Sequence, residues 1–174
     1  MRRPALTWLT VVVLLCSIAA LLSAQESAAP AAHGSGHVIM PPDQIKWSPG
    51  PPGLPAGAMI CVLVGDPAKP GLFTFRAKMP AGFVIPPHWH SSDESVTVLS
   101  GKLNIGDGDK IDKAASTALG PGGFMNMPAK MHHFAFFEEE TIIQLHGMGP
   151  FDITYINPGD DPRKQQDNKP DDKK

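Results

Sequence analysis

The sequence predicts an all-β domain, a sandwich or barrel of short antiparallel strands. Three observations predict it. From Ala58 to Ile156, short apolar runs are separated by turns rich in Gly and Pro. No stretch there repeats apolar residues at helical spacing for long enough to make a helix. The run Leu72 to Lys78 alternates apolar and polar residues, the pattern of a strand with one buried face.

The elements follow in order. Met1-Arg2-Arg3 is basic, Pro4 to Leu22 is uncharged and mostly apolar, and Leu22-Ser23-Ala24 ends in small residues. This predicts a signal peptide over 1–24 and an exported protein, periplasmic or extracellular. The uncharged stretch is also long enough to span a bilayer. Its small, polar-tinged end favours cleavage, so no stable membrane insertion is expected of the mature chain. Residues 25–37, rich in Ala, Ser and Gly, read as a flexible linker. His33 and His37 lie there and read as solvated side chains.

The domain is expected over 38–156. It opens with a proline-rich extended arm, Val38 to Leu54, packed by Ile45 and Trp47. Strands are expected over Ala58 to Val64, Leu72 to Lys78, and Phe83 to Ile85 leading through Pro86-Pro87. Ser95 to Leu99 and Lys102 to Ile105 read as a hairpin turning at Ser100-Gly101. Gly106 to Ala115 is polar, with room for one helical turn. Thr117 to Leu119, Phe124 to Met127, His132 to Phe137, Thr141 to His146 and Phe151 to Ile156 supply further strands. His146 to Pro150 reads as a tight turn at the rim of a pocket. Residues 157–174 hold Pro, Asp, Lys and Gln with no large apolar side chain, and predict a disordered polar tail.

The chemistry concentrates in the stretch Pro86-Pro87-His88-Trp89-His90-Ser91-Ser92-Asp93-Glu94. In a strand, residues i and i+2 share a face, so His88 and His90 aim at one point and Trp89 aims away. Glu94 opens the next strand after a short turn and can return to the same face. His132 or His133 offers a third imidazole, and neighbours in a strand face opposite sides, so only one of them can join. Three neutral nitrogens and a carboxylate suit one divalent transition metal: Fe, Mn, Ni, Cu or Zn.

The spacing resembles the first motif of the cupin superfamily, whose fixed positions are filled by Gly82, His88, His90, Glu94 and Gly101. The second motif is represented by Gly122, Pro128 and His133. Lys130 stands where the family usually has Gly, and Phe137 where it often has Asn. The resemblance covers roughly residues 58 to 156. It implies a double-stranded β-helix, a small jelly-roll barrel. It also implies His88, His90, Glu94 and His133 as the metal ligands. With His133 inward, alternation turns Ala135 and Phe137 inward and leaves Phe134 and Phe136 as an apolar stripe on the exterior. Such stripes meet partners, and a homodimer is expected, unless the arm around Ile45 and Trp47 covers the stripe within the chain.

Charge and cysteine content narrow the function. Removing Arg2 and Arg3 with the signal leaves 13 basic against 17 acidic side chains, a charge of about −4. That argues against a nucleic-acid partner. Of the two cysteines, Cys16 leaves with the signal. Cys61, in an apolar run, has no partner for a disulfide and reads as a packed core residue. Gln144 and His146 share a strand face. Inward, His146 would serve as a proton donor or orient a ligand; outward, it closes the barrel end. Phe73, Phe75, Met125 and Met127 read first as core, and second as the lining for a small organic ligand. The expectation is an exported metal-binding cupin, oxygenase-like or hydrolytic toward a small organic molecule. The alternative is a non-catalytic metal- or ligand-sensing module, similar to the cupin domains of some anti-sigma regulators.

Overall fold

The structure, a computed structural model, describes residues 37–167; the signal expected over 1–24 and all but the last residue of the linker lie outside that range. The described strands are β1 (Ser48–Pro49), β2 (Met59–Val64), β3 (Gly71–Met79), β4 (Val84–Trp89), β5 (Glu94–Ser100), β6 (Leu103–Asp107), β7 (Thr117–Leu119), β8 (Phe124–Met127), β9 (His133–Phe136), β10 (Thr141–Gly149) and β11 (Thr154–Tyr155). They form two antiparallel sheets, ordered β1-β2-β3-β10-β5-β8 and β11-β4-β9-β6-β7. From β4 onward the chain passes repeatedly from one sheet to the other, the path of a jelly roll. The core between the sheets holds Phe73, Val96, Val98, Leu103, Ile143 and Leu145. Their alternation along the strands is what places them there.

The strand expectations hold except the last, where only Thr154–Tyr155 of the expected Phe151 to Ile156 is strand, and the changes elsewhere have physical causes. Ser100-Gly101 is not a hairpin turn, because β5 and β6 belong to different sheets. The pairing of β5 with β10 slips between Ile142 and Ile143, whose partners are Ser100 and Val98, so Leu99 is an extra residue that bends β5. Gly101 then turns the chain at φ 74°, and a Cβ there would stand 2.4 Å from the Glu140 carbonyl oxygen. Buried Thr141 holds the turn from the far side, accepting from the Lys102 amide at 3.0 Å. The turn expected over His146 to Pro150 begins only after Gly149, since β10 stays paired with β3 as far as Gly149 and Gly71.

Phe134 and Phe136 do point away from the core, but they form no exposed stripe: they are 1% and 4% accessible. Gly106 opposite Phe134 leaves room for its ring, and a Cβ on Gly106 would lie 2.3 Å from Phe134 Cζ. The polar segment after β6 folds back, with a 3-10 turn at Lys113–Ala115 that brings Lys113 Nζ within 4.7 Å of the Phe136 ring centroid. The chain therefore covers this face itself, and the apolar stripe offers no ground for a dimer. The arm is not the cover. Trp47 lies under Lys78 Nζ, at 5.1 Å on the other sheet, and β1 pairs with β2. Cys61 is buried and free, as expected.

The polar C-terminal stretch, expected to lack structure from residue 157, instead begins with a 3-10 turn at Pro158–Asp160 and a short helix α1 (Pro162–Asp167). Local capping supplies the order. Asn157 accepts from the Gly159 amide, and the Asp161 carboxylate takes two bonds from the Arg163 guanidinium, at 2.7 and 2.9 Å. Residues 168–174 lie outside the described range.

Candidate metal centre

The proline pair sets the site. Between Ile85 and His88 the β4–β9 ladder slips: three steps along β4 match two along β9, from Ala135 to His133. Pro86 and Pro87 have no amide hydrogens for a regular ladder, so the irregularity falls there. It turns His88 to the same inward face as Ile85 and seats it directly across from His133. His90 follows just past the end of β4, and Glu94 begins β5.

The four side chains come together. The rings of His88 and His133 are 4.2 Å apart between centroids, His88 and His90 4.9 Å, and His90 and His133 5.3 Å. One nitrogen from each histidine lies within 4.8 Å of the others. Two bonds of about 2.1 Å on opposite sides of one ion span nearly this distance. Glu94 Oε2 stands 3.3 Å from His133 Nε2 and 3.6 Å from His90 Nε2. All four residues are buried.

Each histidine is held by its other nitrogen. His88 Nδ1 lies 2.7 Å from the Pro86 carbonyl, His133 Nδ1 lies 3.0 Å from the Met131 carbonyl, and His90 Nδ1 meets the Asp152 carbonyl. A carbonyl can only accept, so Nδ1 carries the proton in all three rings and Nε2 is turned inward. Among the described residues, His90 Nε2 and Glu94 Oε2 are buried with no hydrogen-bond partner. Buried polar atoms are rarely left so. An ion bound among them would satisfy both, and the donor set fits a borderline divalent metal.

The electrostatics divide the three histidines. Burial, aided by its two histidine neighbours, pushes His88 down to about 3, and burial also pulls His90 down. Both are neutral near pH 7. Burial opposes charge on His133 too, but the Glu94 carboxylate, 3.3 Å from its Nε2, outweighs it and the net shift is upward. Burial pushes Glu94 up, and the three histidines more than reverse this, leaving it below its ordinary value.

A second set of residues grips this cluster from the C-terminal side. The Phe151 ring stacks on His90 at 4.4 Å. The Asp152 carboxylate accepts from the Ser91 amide at 2.8 Å and its hydroxyl at 2.7 Å, fixing the turn between His90 and Glu94. Lys130 donates its amide to the His90 carbonyl at 2.8 Å from a left-handed conformation, φ 65°. This explains the position where a glycine is usual in the cupin pattern: the backbone shape is retained although the residue differs. Asp152 and Phe151 went unrecognised in the sequence, where no local motif marks them.

His146 and Gln144 do not join the site. Along β10, Thr141, Ile143 and Leu145 are buried, so the residues between them face outward. Gln144 accepts from Arg76 Nε at 3.2 Å, and His146 lies between Thr74 and Ser95 on the outer face. His132 likewise faces away, 2.6 Å from the Asp109 carboxylate. His33 lies outside the described residues, and His37 is exposed.

The cluster opens onto a cavity of about 560 Å³, which His88, His90 and Glu94 line at one end. Phe75, Met79, Ile85, Ile143 and Leu145 form walls, and the arm residues Pro51 to Leu54 reach over it. Tyr155 pins that strap by donating its buried hydroxyl to the Gly53 carbonyl at 2.8 Å. The apolar side chains suspected of lining a pocket divide between two roles. Phe73 is fully buried core, and Phe75 stacks on it and lines the cavity. Met125 and Met127 pack against the core from β8.

The profile described as ChrR Cupin-like domain matches residues 35–152. No curated protein matches the chain. Among solved structures, the polyketide cyclase RemF from Streptomyces resistomycificus is 15% identical, with a TM-score of 0.59, over 76% of this chain and 94% of that one. The DMSP lyase DddQ from Ruegeria pomeroyi is 20% identical, with a TM-score of 0.52, over 67% and 63%. An RmlC-like cupin from Shewanella frigidimarina is 16% identical, with a TM-score of 0.51, over 66% and 91%. At these identities the likeness is one of fold.

Proposed function

The chain belongs to the ChrR cupin-like family, and from that premise we propose that His88, His90, His133 and Glu94 hold one divalent transition metal in an exported enzyme that acts on a small organic molecule. The observation that carries this reading is the pair of buried, partnerless atoms, His90 Nε2 and Glu94 Oε2, facing two further imidazoles at the end of a ligand-sized cavity. A metal bound there would supply Lewis acidity toward an oxygen-bearing ligand, the common ground of oxygenase-like and hydrolytic chemistry. The chain's own residues do the rest. The Pro86, Met131 and Asp152 carbonyls hold the three Nδ1 protons, which keeps Nε2 available. Phe151 stacks on His90, and apolar side chains wall the cavity beside the cluster. The structural relatives named for cyclase and lyase activity act on small molecules, and this supports the substrate scale. The basic-then-apolar start of the sequence supports export.

A second reading, a non-catalytic metal- or ligand-sensing module, is favoured by a different observation. The other carboxylates lining the cavity are both engaged, Asp66 with Lys69 and the Ala68 amide, Asp152 with Ser91. Neither is a free general base. Elemental analysis followed by an oxygen-consumption and hydrolysis screen separates the two. Fe, Mn, Ni or Cu near one equivalent, with turnover that chelation abolishes and metal restores, supports the enzyme. Tightly held Zn, no turnover and a large loss of thermal stability on chelation support the sensor.

A further inference from the structure

We propose that the cavity takes a neutral, mainly apolar molecule with a single oxygen-bearing pole, and that it excludes molecules with an anionic group remote from that pole. The inference rests on the metal reading above, since the pole must have something to bind. It follows from how the polar side chains of the lining are spent. Apart from the histidine–glutamate cluster, the charged groups along the described lining are Asp66, Asp152 and Arg163. Asp66 is paired with Lys69 Nζ at 2.9 Å and accepts from the Ala68 amide. Asp152 is occupied by Ser91.

Arg163 is the one cation among the described lining residues, and its charge is matched by Asp161. Nε and Nη2 grip the Asp161 carboxylate, and Nη2 also donates to the Ile153 carbonyl at 2.9 Å. Its Nη1 lies against Gly53 of the strap, 3.5 Å from where a Cβ would stand. An entering carboxylate or phosphate would therefore lose its water shell along β3 and β10, whose lining residues offer no cation to replace it. A polyhydroxylated molecule would likewise find no free partners along Phe75, Ala77, Met79, Ile143 and Leu145. An apolar body gains from these same walls, by about fourfold in affinity for each methylene fully buried. Recognition is thus divided: the polar end belongs to His88, His90, His133 and Glu94, and the length of the molecule belongs to β3 and β10.

Three hydroxamates with the same metal-binding pole test this by calorimetric titration of the metal-loaded full chain. Acetohydroxamic acid has the pole alone, octanohydroxamic acid adds a neutral tail, and suberic acid monohydroxamate ends a similar tail in a carboxylate. The octanoyl compound is expected to bind at least about a hundredfold more tightly than the acetyl one. The suberic compound should fall back to within about tenfold of the acetyl one. Val62 lines the cavity and is 41% exposed, so it accepts a larger side chain. Val62→Lys supplies the missing cation, and should raise the suberic-to-octanoyl affinity ratio at least about tenfold. Metal-loaded protein that binds acetohydroxamic acid but gains nothing from the neutral tail, or prefers the carboxylate tail, overturns the inference and leaves the metal reading intact. Protein that takes up no metal and binds none of the three overturns both.

Discussion

Two regions hold the same site and differ in how they do it. The stretch from His88 to Glu94, with His133, supplies the groups that converge, and its spacing is local: a dipeptide period on one strand and one turn. The segment from Phe151 to Arg163 supplies none of the converging groups but holds them. It stacks on His90, receives its Nδ1 proton at the Asp152 carbonyl, fixes Ser91 and pins the strap over the cavity. The first region acts through side chains whose type marks them as donors to a metal. The second acts largely through backbone carbonyls and ring packing, which any sequence can offer. Ligand identity and ligand orientation are thus written in different parts of the chain, and only the first in residue types that announce themselves.

The comparison breaks most sharply at the ligands. His133→Ala should weaken metal binding by at least about a hundredfold, while His132→Ala leaves it within error of wild type, read by competition with a chromogenic chelator. Equal losses would place the third imidazole wrongly. The supporting region should show a smaller effect of the same kind. Asp152→Ala keeps the carbonyl that His90 needs but frees Ser91, and about a tenfold loss of affinity is expected. Asp152→Asn, which can still accept from the Ser91 amide, should recover most of it. Next comes a change that separates stability from metal. Burial pushes the Tyr155 hydroxyl up, so it stays protonated and donates to Gly53. Tyr155→Phe should cost about 1–3 kcal/mol in denaturant unfolding, with less effect on metal affinity than Asp152→Ala.

The smallest effect sharpens the comparison within the ligand set itself. His88 and His90 are depressed and favour the neutral form in the folded protein, while His133 beside Glu94 is raised and keeps a second proton to higher pH than a free imidazole when no metal is bound. A raised histidine contributes stability below its unfolded pKa of about 6.5, and that stability is lost as pH rises through the folded value. A depressed one works the other way: His88 costs the fold stability as pH falls from about 6.5 toward about 3. Metal binding near pH 6.5 should therefore release no more than about one proton, chiefly from His133, and affinity should fall as pH drops below the raised His133 value. Calorimetry in buffers of different ionisation enthalpy reads this number. Release of two or three protons would contradict the burial argument for His88 and His90.

Much of the fold was legible because strands of this length carry their burial pattern in alternation, as in β3 and β10. The four converging residues were legible for the same reason, with the cupin spacing choosing between His132 and His133. What was not legible depended on distant partners. Ser100-Gly101 looks like a hairpin until Leu99 is seen as a bulge opposite β10. Phe134 and Phe136 look exposed until the Phe134 ring is seen seated over Gly106 and Lys113 over the Phe136 ring. Gln144 and His146 were ambiguous because a period of two fixes which residues share a face, but not which face is inward. The ordered start of the C-terminal stretch rests on capping by Asn157 and Asp161, a short-range polar effect that an apolar count misses.

The most direct test is elemental analysis of the full chain purified with neither added metal nor chelator, beside a His88→Ala variant shown to be folded by circular dichroism. One site built from His88, His90, Glu94 and His133 predicts about one equivalent of a single transition metal in the wild type and nearly none in the variant. A wild type that holds no metal even after reconstitution, or a variant that holds as much as the wild type, would contradict it.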